Sequence, residues 1–119
     1  MSVNWIEYKG KKILYCDYRC FKQEKEWLEN IEIVAKELIN SQEKVLSLTD
    51  FRNAEGLGQD YLTRAKVLGK EIIKDKVERS AVIGISGMRK LLLNTYNLLS
   101  GDKMIIFEDE ITAKEFLVK

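Results

Sequence analysis

The 119-residue chain contains no histidine, and that absence closes several classes of chemistry. Ser-His-Asp and Cys-His catalysis need an imidazole base, histidine-ligated zinc needs an imidazole ligand, and a switch near neutral pH needs an imidazole that titrates. Cysteine is almost as scarce. Cys16 and Cys20, in "CDYRC", are too few thiols for a four-cysteine zinc site. Nothing else in the chain suggests export to a compartment where they would pair. A charge excess is also missing, with 20 basic residues against 19 acidic ones. Phosphate-binding surfaces usually show as a basic excess, so nucleic acid is not an expected partner. No apolar run approaches the length of a membrane span, and "MSVNWIEYKGKK" lacks the basic-then-apolar order of a signal peptide. The expected location is therefore the cytoplasm. Proline, repeats and low-complexity tracts are absent. No internal boundary is visible, and residues 1–119 are expected to form one domain.

What is present is a strict alternation of patterns. "NWIEY" and "KILYCDY" flank "KGKK", where Gly10 can supply the positive φ of a tight hairpin turn. From Phe21 to Asn40, Trp27, Leu28, Ile31, Val34, Ala35 and Leu38 recur at three-and-four spacing and predict a helix. "KVLSLTDF" at 44–51 is a short apolar-rich run, expected as a buried strand, and "RNAEGLGQ" after it is a loop. A helix is predicted over Gln59–Lys76 with Tyr61, Leu62, Ala65, Leu68 and Ile72 inward. Gly69 inside it costs about 1 kcal/mol relative to alanine unless close packing compensates. "SAVIGIS" is a second apolar strand, Met88–Leu99 a third helix closed by Ser100-Gly101, and "KMIIF" the last strand. "DEITAKEFLV" is a terminal helix with Asp109 as N-cap. The order ββαβαβαβα predicts an α/β fold: a four- to five-stranded mixed sheet, with an N-terminal hairpin and a parallel core, packed with about four helices.

Two places in this pattern can hold chemistry. In "AVIGISGMRKLLLN", Ser86 sits where a strand enters a helix. A nucleophile elbow requires G-x-S-x-G, but Met88 stands where the last glycine belongs and no histidine can act as base. Two compatible readings remain for Ser86. It can cap the helix, worth about 1 kcal/mol, or it can join Gly87 and Arg89 in holding an anion at the helix start. The second place is "TDFRN". Asp50, Arg52 and Asn53 follow a central strand, at the edge where open α/β sheets collect ligands, and would share one rim with Ser86 if the two strands are neighbours. The plainer reading makes Asp50 the cap of the next turn and Arg52 a solvated charge. Asp50 has no paired acid or base, so an enzyme is not expected, and no acidic grouping suggests a metal or cofactor. On the third helix Met88, Leu91, Leu92, Tyr96 and Leu99 form the expected core face. Leu93 and Leu98 fall outside it and suggest a contact surface for a partner or a second copy.

The stretches "KGKKILYCDYR", "VLSLTDFRN", "AVIGISGMRKLLLN", "LLSGDKMIIF" and "DEITAKEFL", taken in this order, resemble the small bacterial STAS-like, or anti-sigma-factor-antagonist-like, proteins. The resemblance spans nearly the whole chain. It implies a sheet of four or five strands backed by helices, in cytoplasmic proteins mostly without an assigned activity. Regulatory members carry a D-S-S-G-L-G loop whose first serine is phosphorylated by a partner kinase. "NAEGLG", Asn53 to Gly58, keeps Gly56, Leu57 and Gly58, but Ala54 replaces the phosphorylated serine and Glu55 the second. Alanine has no hydroxyl to modify, so a phospho-switch is not expected. The loop, through Glu55, Gly56 and Leu57, remains a candidate partner-facing surface. The leading expectation is a non-enzymatic regulatory or protein-interaction module. The alternative is a small-molecule or anion-binding domain with its site at the carboxyl ends of the central strands.

Overall fold

A computed structural model describes residues 2–119 of the chain. Strand β1 (Val3–Tyr8) and strand β2 (Lys11–Asp17) form the hairpin. Lys9 and Gly10 between them both have positive φ, 49° and 79°, the backbone that a two-residue turn of the right-handed strand twist requires. Helix α1 (Glu24–Asn40) buries Trp27, Ile31, Val34, Ala35 and Leu38, the face its spacing predicts. It starts three residues later than predicted because Glu26 accepts the amides of Lys22 and Gln23, which ends the preceding turn. Strand β3 (Val45–Asp50) follows, then α2 (Gln59–Leu68).

The long second helix is not uniform. Gly69–Ile73 is a π-helical turn before a last α-turn at Lys74–Lys76. A π-turn inserts an extra residue into the helical ladder. At its last residue Ile73 is buried, where simple periodicity points to Ile72. The glycine that opens this turn is required by its neighbour: a Cβ on Gly69 would lie 2.5 Å from Tyr96 Oη and 2.9 Å from Ser100 Cβ.

Strand β4 (Val77–Ile83) begins and ends about three residues before the predicted run. Gly84 turns the chain out with φ 83°, against the backbone of Phe51 and Arg52. Helix α3 (Met88–Ser100), strand β5 (Met104–Ile106) and helix α4 (Glu110–Leu117) complete the order, and Asp109 caps α4 through Thr112 N at 2.7 Å.

The five strands stand in the order β1-β2-β3-β4-β5, antiparallel at the hairpin and parallel thereafter. The strand order never reverses, so successive crossovers of one hand leave their helices on one face. Leu14, Cys16, Val45 and Val82 meet α1, α2 and α3 there. On the opposite face Ile13, Leu48, Ala81 and Ile83 meet Ala113 and Leu117 of α4. The predicted architecture is observed. One consequence was not legible beforehand: an order without reversal has no switch point, the feature that opens a ligand crevice at the carboxyl edge of doubly wound sheets.

Candidate functional site

The pleat separates the residues that the sequence reading placed on one rim. Alternate residues of β3 face opposite ways, so Leu48 and Asp50 point toward α4 while Ser47 and Thr49 point toward the other helices. Asp50 is fully buried. It accepts from Tyr15 Oη at 2.6 Å, from the Arg52 amide at 3.1 Å, and from Arg52 Nε and Nη2 at 3.0 and 2.6 Å. Arg19 Nε stands 3.7 Å away. Arg52 also reaches Glu110 of α4 at 3.1 Å, and Lys114 closes the chain on the far oxygen of Glu110. A carboxylate offers about four lone-pair positions, so these donors use its capacity. Burial alone pushes the Asp50 carboxyl up. The hydrogen bonds from Arg52 and Tyr15 outweigh it and hold the group below the ordinary carboxylate range. Tyr15 is driven the other way, by burial and by its bond to Asp50. Asp50 thus ties the β3–α2 loop to β2 and α4. Asn53 follows it exposed, with φ 59°.

Although β3 and β4 are neighbours, Ser86 does not join this cluster. It is exposed and makes no hydrogen bond, and the helix N-cap is Gly87, at φ 59° and ψ −132°, without a side-chain cap. The capping expectation for Ser86 is therefore corrected. Glycines at 84 and 87 with positive φ carry the chain from strand to helix, and the serine between them is turned to solvent. Arg89 lies on the other face of the sheet, its guanidinium 5.7 Å from the Trp27 ring.

The predicted face of α3 also needs correction. Leu93 is buried, at 8% exposure, together with Tyr96 and Ser100, so it is not partner-facing. Met88, Leu91 and Leu99, expected inside, are exposed, and Leu98 is 83% exposed. The rotation follows from Tyr96, which packs over Gly69 and donates to Asp102 at 2.7 Å.

The 53–58 loop is docked against the chain. The Glu55 amide donates to Phe21 O, and its carbonyl accepts Trp27 Nε1 at 2.7 Å. Gly56, at φ 92°, lies so close to the Lys22–Gln23 backbone that a Cβ would be 2.7 Å from Lys22 O. Within residues 54–58 only the Glu55 side chain projects, toward Lys22 at 3.4 Å. Ala54 is buried and Leu57 half-buried.

Leu57 and Arg89 meet again in a feature that the sequence reading missed. Between the sheet and α1, α2 and α3 runs a cavity of about 90 Å³. Its wall includes Trp27, Ile31, Phe51, Tyr61, Ala65 and Leu92, with Ser47, Thr49 and Ser80 from the sheet. Trp27 and Phe51 stack with centroids 5.2 Å apart, and Tyr18 packs against both. Tyr18 and Tyr61 pair their hydroxyls at 3.1 Å, as do Ser47 and Ser80 at 2.9 Å, so these polar groups do not demand water. Burial pushes the Cys16 thiol, also in this wall, up to about 12, which makes it an unreactive apolar group. The half-buried Leu57, Ile85, Arg89 and Leu92 mark where the cavity reaches the surface. A sequence signal existed in the aromatics at 18, 27, 51 and 61, but nothing in one chain says that four distant rings converge.

Among the described residues no grouping of three or more Cys, Asp or Glu could hold a metal ion, and no helix is long and apolar enough to cross a membrane. No protein-family model matches the chain, and no curated protein matches it in sequence. A solved structure does match in shape. It is an uncharacterized protein of the DUF3478 family, with a SpoIIAA-like fold, from Shewanella loihica PV-4. The two share 16% identity and a TM-score of 0.74, over 97% of this chain and 91% of that one. At that identity the likeness concerns the fold. The chain has the SpoIIAA-like, STAS-like fold that its sequence resembles.

Proposed function

We propose that this chain is a non-enzymatic binding domain for a small apolar molecule, held between the sheet and helices α1–α3. The observation that carries this reading is the cavity of about 90 Å³, walled by apolar side chains whose few polar neighbours are already paired. Close-packed interiors hold few voids larger than a water molecule. An apolar cavity of roughly 150 Å³ stays dry and takes up benzene in another protein, so this smaller space, which reaches the surface, suits the inner few carbons of an alkyl chain whose remainder extends out of it. The Asp50 cluster supports the same choice from the other side: its carboxylate is already saturated by Tyr15 and Arg52.

Calorimetric titration with 1-octanol tests the proposal, using the intact protein and the Ala65→Leu variant. Ala65 lines the cavity, and a leucine there would occupy the space of the guest. Saturable one-to-one binding, lost in the variant, is the expected result. An absence of binding to the wild type, or equal binding to both proteins, would overturn it.

A protein-interaction role is favoured by one separate observation, the stripe of Met88, Leu91, Leu98 and Leu99 left exposed along α3. Exposed apolar patches of this kind mark contact surfaces. Light scattering of the wild type and of Leu98→Lys tests self-association. A monomer in both would remove the second-copy version of that reading.

A further inference from the structure

We propose that the guest is an amphipathic anion, with its apolar chain in the cavity and its charged head in a lysine-lined cleft at the amino edge of the sheet. This inference rests on the cavity reading above and adds the chemistry and direction of the ligand. Strands β2 to β5 are parallel, so the chain enters β3, β4 and β5 at the same edge. Each entry carries a lysine: Lys44 before β3, Lys74 before β4 and Lys103 before β5. The three line one cleft of about 260 Å³. None of their ammonium groups has a carboxylate partner among the described residues, whereas Lys9, Lys22, Lys25 and Lys114 all do. Lys74 lies across the end of α3, where a Cβ on Gly101 would be 3.2 Å from its Cδ.

Cavity and cleft lie side by side and share part of their walls. Val77, Ser80 and Asp102 line both. The other charged groups there do not cancel the lysines. Arg79 is bound to the carbonyls of Phe116 and Lys119, and Glu78 is the one other acid in the wall. Asp102 accepts Tyr96 Oη at 2.7 Å and the Lys103 amide at 2.8 Å. Burial pushes its carboxyl up, which weakens its opposition to an anion. At the surface end of the cavity, beside Leu57 and Ile85, Arg89 is the single cation in the wall, with its guanidinium 5.7 Å from the Trp27 ring. Three unpaired ammoniums at one end against one engaged guanidinium at the other set the direction.

Octanoate and 1-octanol share a chain and differ in the head, so their affinity ratio reads the head alone. At neutral pH and low salt, wild type is expected to prefer octanoate by at least about fivefold, a modest sum for exposed ion pairs. The preference should shrink as salt is raised. In Lys44→Gln/Lys74→Gln/Lys103→Gln the ratio should fall to near one, while Arg89→Gln keeps it. Octyl phosphate distinguishes the source of the head: tighter binding than octanoate indicates a phosphate, and equal or weaker binding a carboxylate. A ratio near one in wild type, a preference that survives the triple substitution, or its loss in Arg89→Gln would overturn the assignment. Failure of both octanol and octanoate to bind would be a different result, because it removes the cavity reading itself.

Discussion

Asp50 on the α4 side of the sheet and Asp102 beside the cavity are both buried, and burial pushes both carboxyls up. Their surroundings decide the outcome. Asp50 meets the guanidinium of Arg52, the hydroxyl of Tyr15 and a backbone amide, and ends below the ordinary range. Asp102 meets only neutral donors, Tyr96 and the Lys103 amide, and stays above it. The comparison teaches where this fold is wired and where it is hollow. The α4 face has its charges matched and its donors used. The helical face is apolar, carries a void, and leaves its cations at the ends.

Removing Arg52 should break the contrast most strongly. Arg52→Ala leaves a fully buried carboxylate without its main partner, and breaking such a pair costs about 3 kcal/mol or more. Urea denaturation at neutral pH measures the loss. The pH dependence should also change sign. In wild type the Asp50 pKa in the folded state lies below its unfolded value, so its stabilisation is present above roughly pH 4 and is lost as pH falls through the folded pKa. In Arg52→Ala burial is no longer outweighed, the folded pKa rises above the unfolded one, and acidification from neutrality should stabilise the variant. A variant that loses stability on acidification as wild type does would contradict this account.

Asp50→Asn should cost less, about 2 kcal/mol. It removes the buried charge and leaves an arginine that is 43% exposed and can be hydrated. The order of the two variants, arginine worse than aspartate, is itself the test. Ala65→Leu should change stability by less than about 1 kcal/mol, because the added atoms enter a void. Overpacking a filled core typically costs about 1–3 kcal/mol. Thermal unfolding measures this, and a loss in the overpacking range would show that the cavity is not open to a side chain. The smallest effect is expected from Asp102→Asn, within about 1 kcal/mol of wild type near neutrality. Asp102 is raised in the fold, so wild type gives up stability as pH rises from roughly 4 through the folded pKa. The amide variant should gain on wild type over that interval, and parallel pH–stability curves would refute the opposite placement of the two acids.

The alternation of strands and helices was legible because each element carries its own period, and α1 showed its whole buried face in its spacing. Where a neighbour overrides the period, the reading failed. The π-turn at Gly69–Ile73 moved burial from Ile72 to Ile73, and the contact between Tyr96 and Gly69 turned Leu93 inward and Leu91 outward. Asp50 and Arg52 were recognised as a pair of interest, but Tyr15 and Glu110, which lie 35 and 60 residues from Asp50 in sequence, complete the cluster across the sheet. Grouping Ser86 with Asp50 failed for a geometric reason. Adjacent strands bring their ends together, but the pleat and two positive-φ glycines decide which way each side chain faces. The cavity was invisible because it is a property of packing between four elements.

Intermolecular nuclear Overhauser contacts between 1-octanol and the isotope-labelled protein test the central claim most directly. The account predicts contacts from the alkyl chain to Trp27, Ile31, Phe51 and Leu92, and none to Leu98. Contacts confined to Leu91, Leu98 and Leu99 on the outer face of α3, or no contacts at saturating octanol, would contradict it.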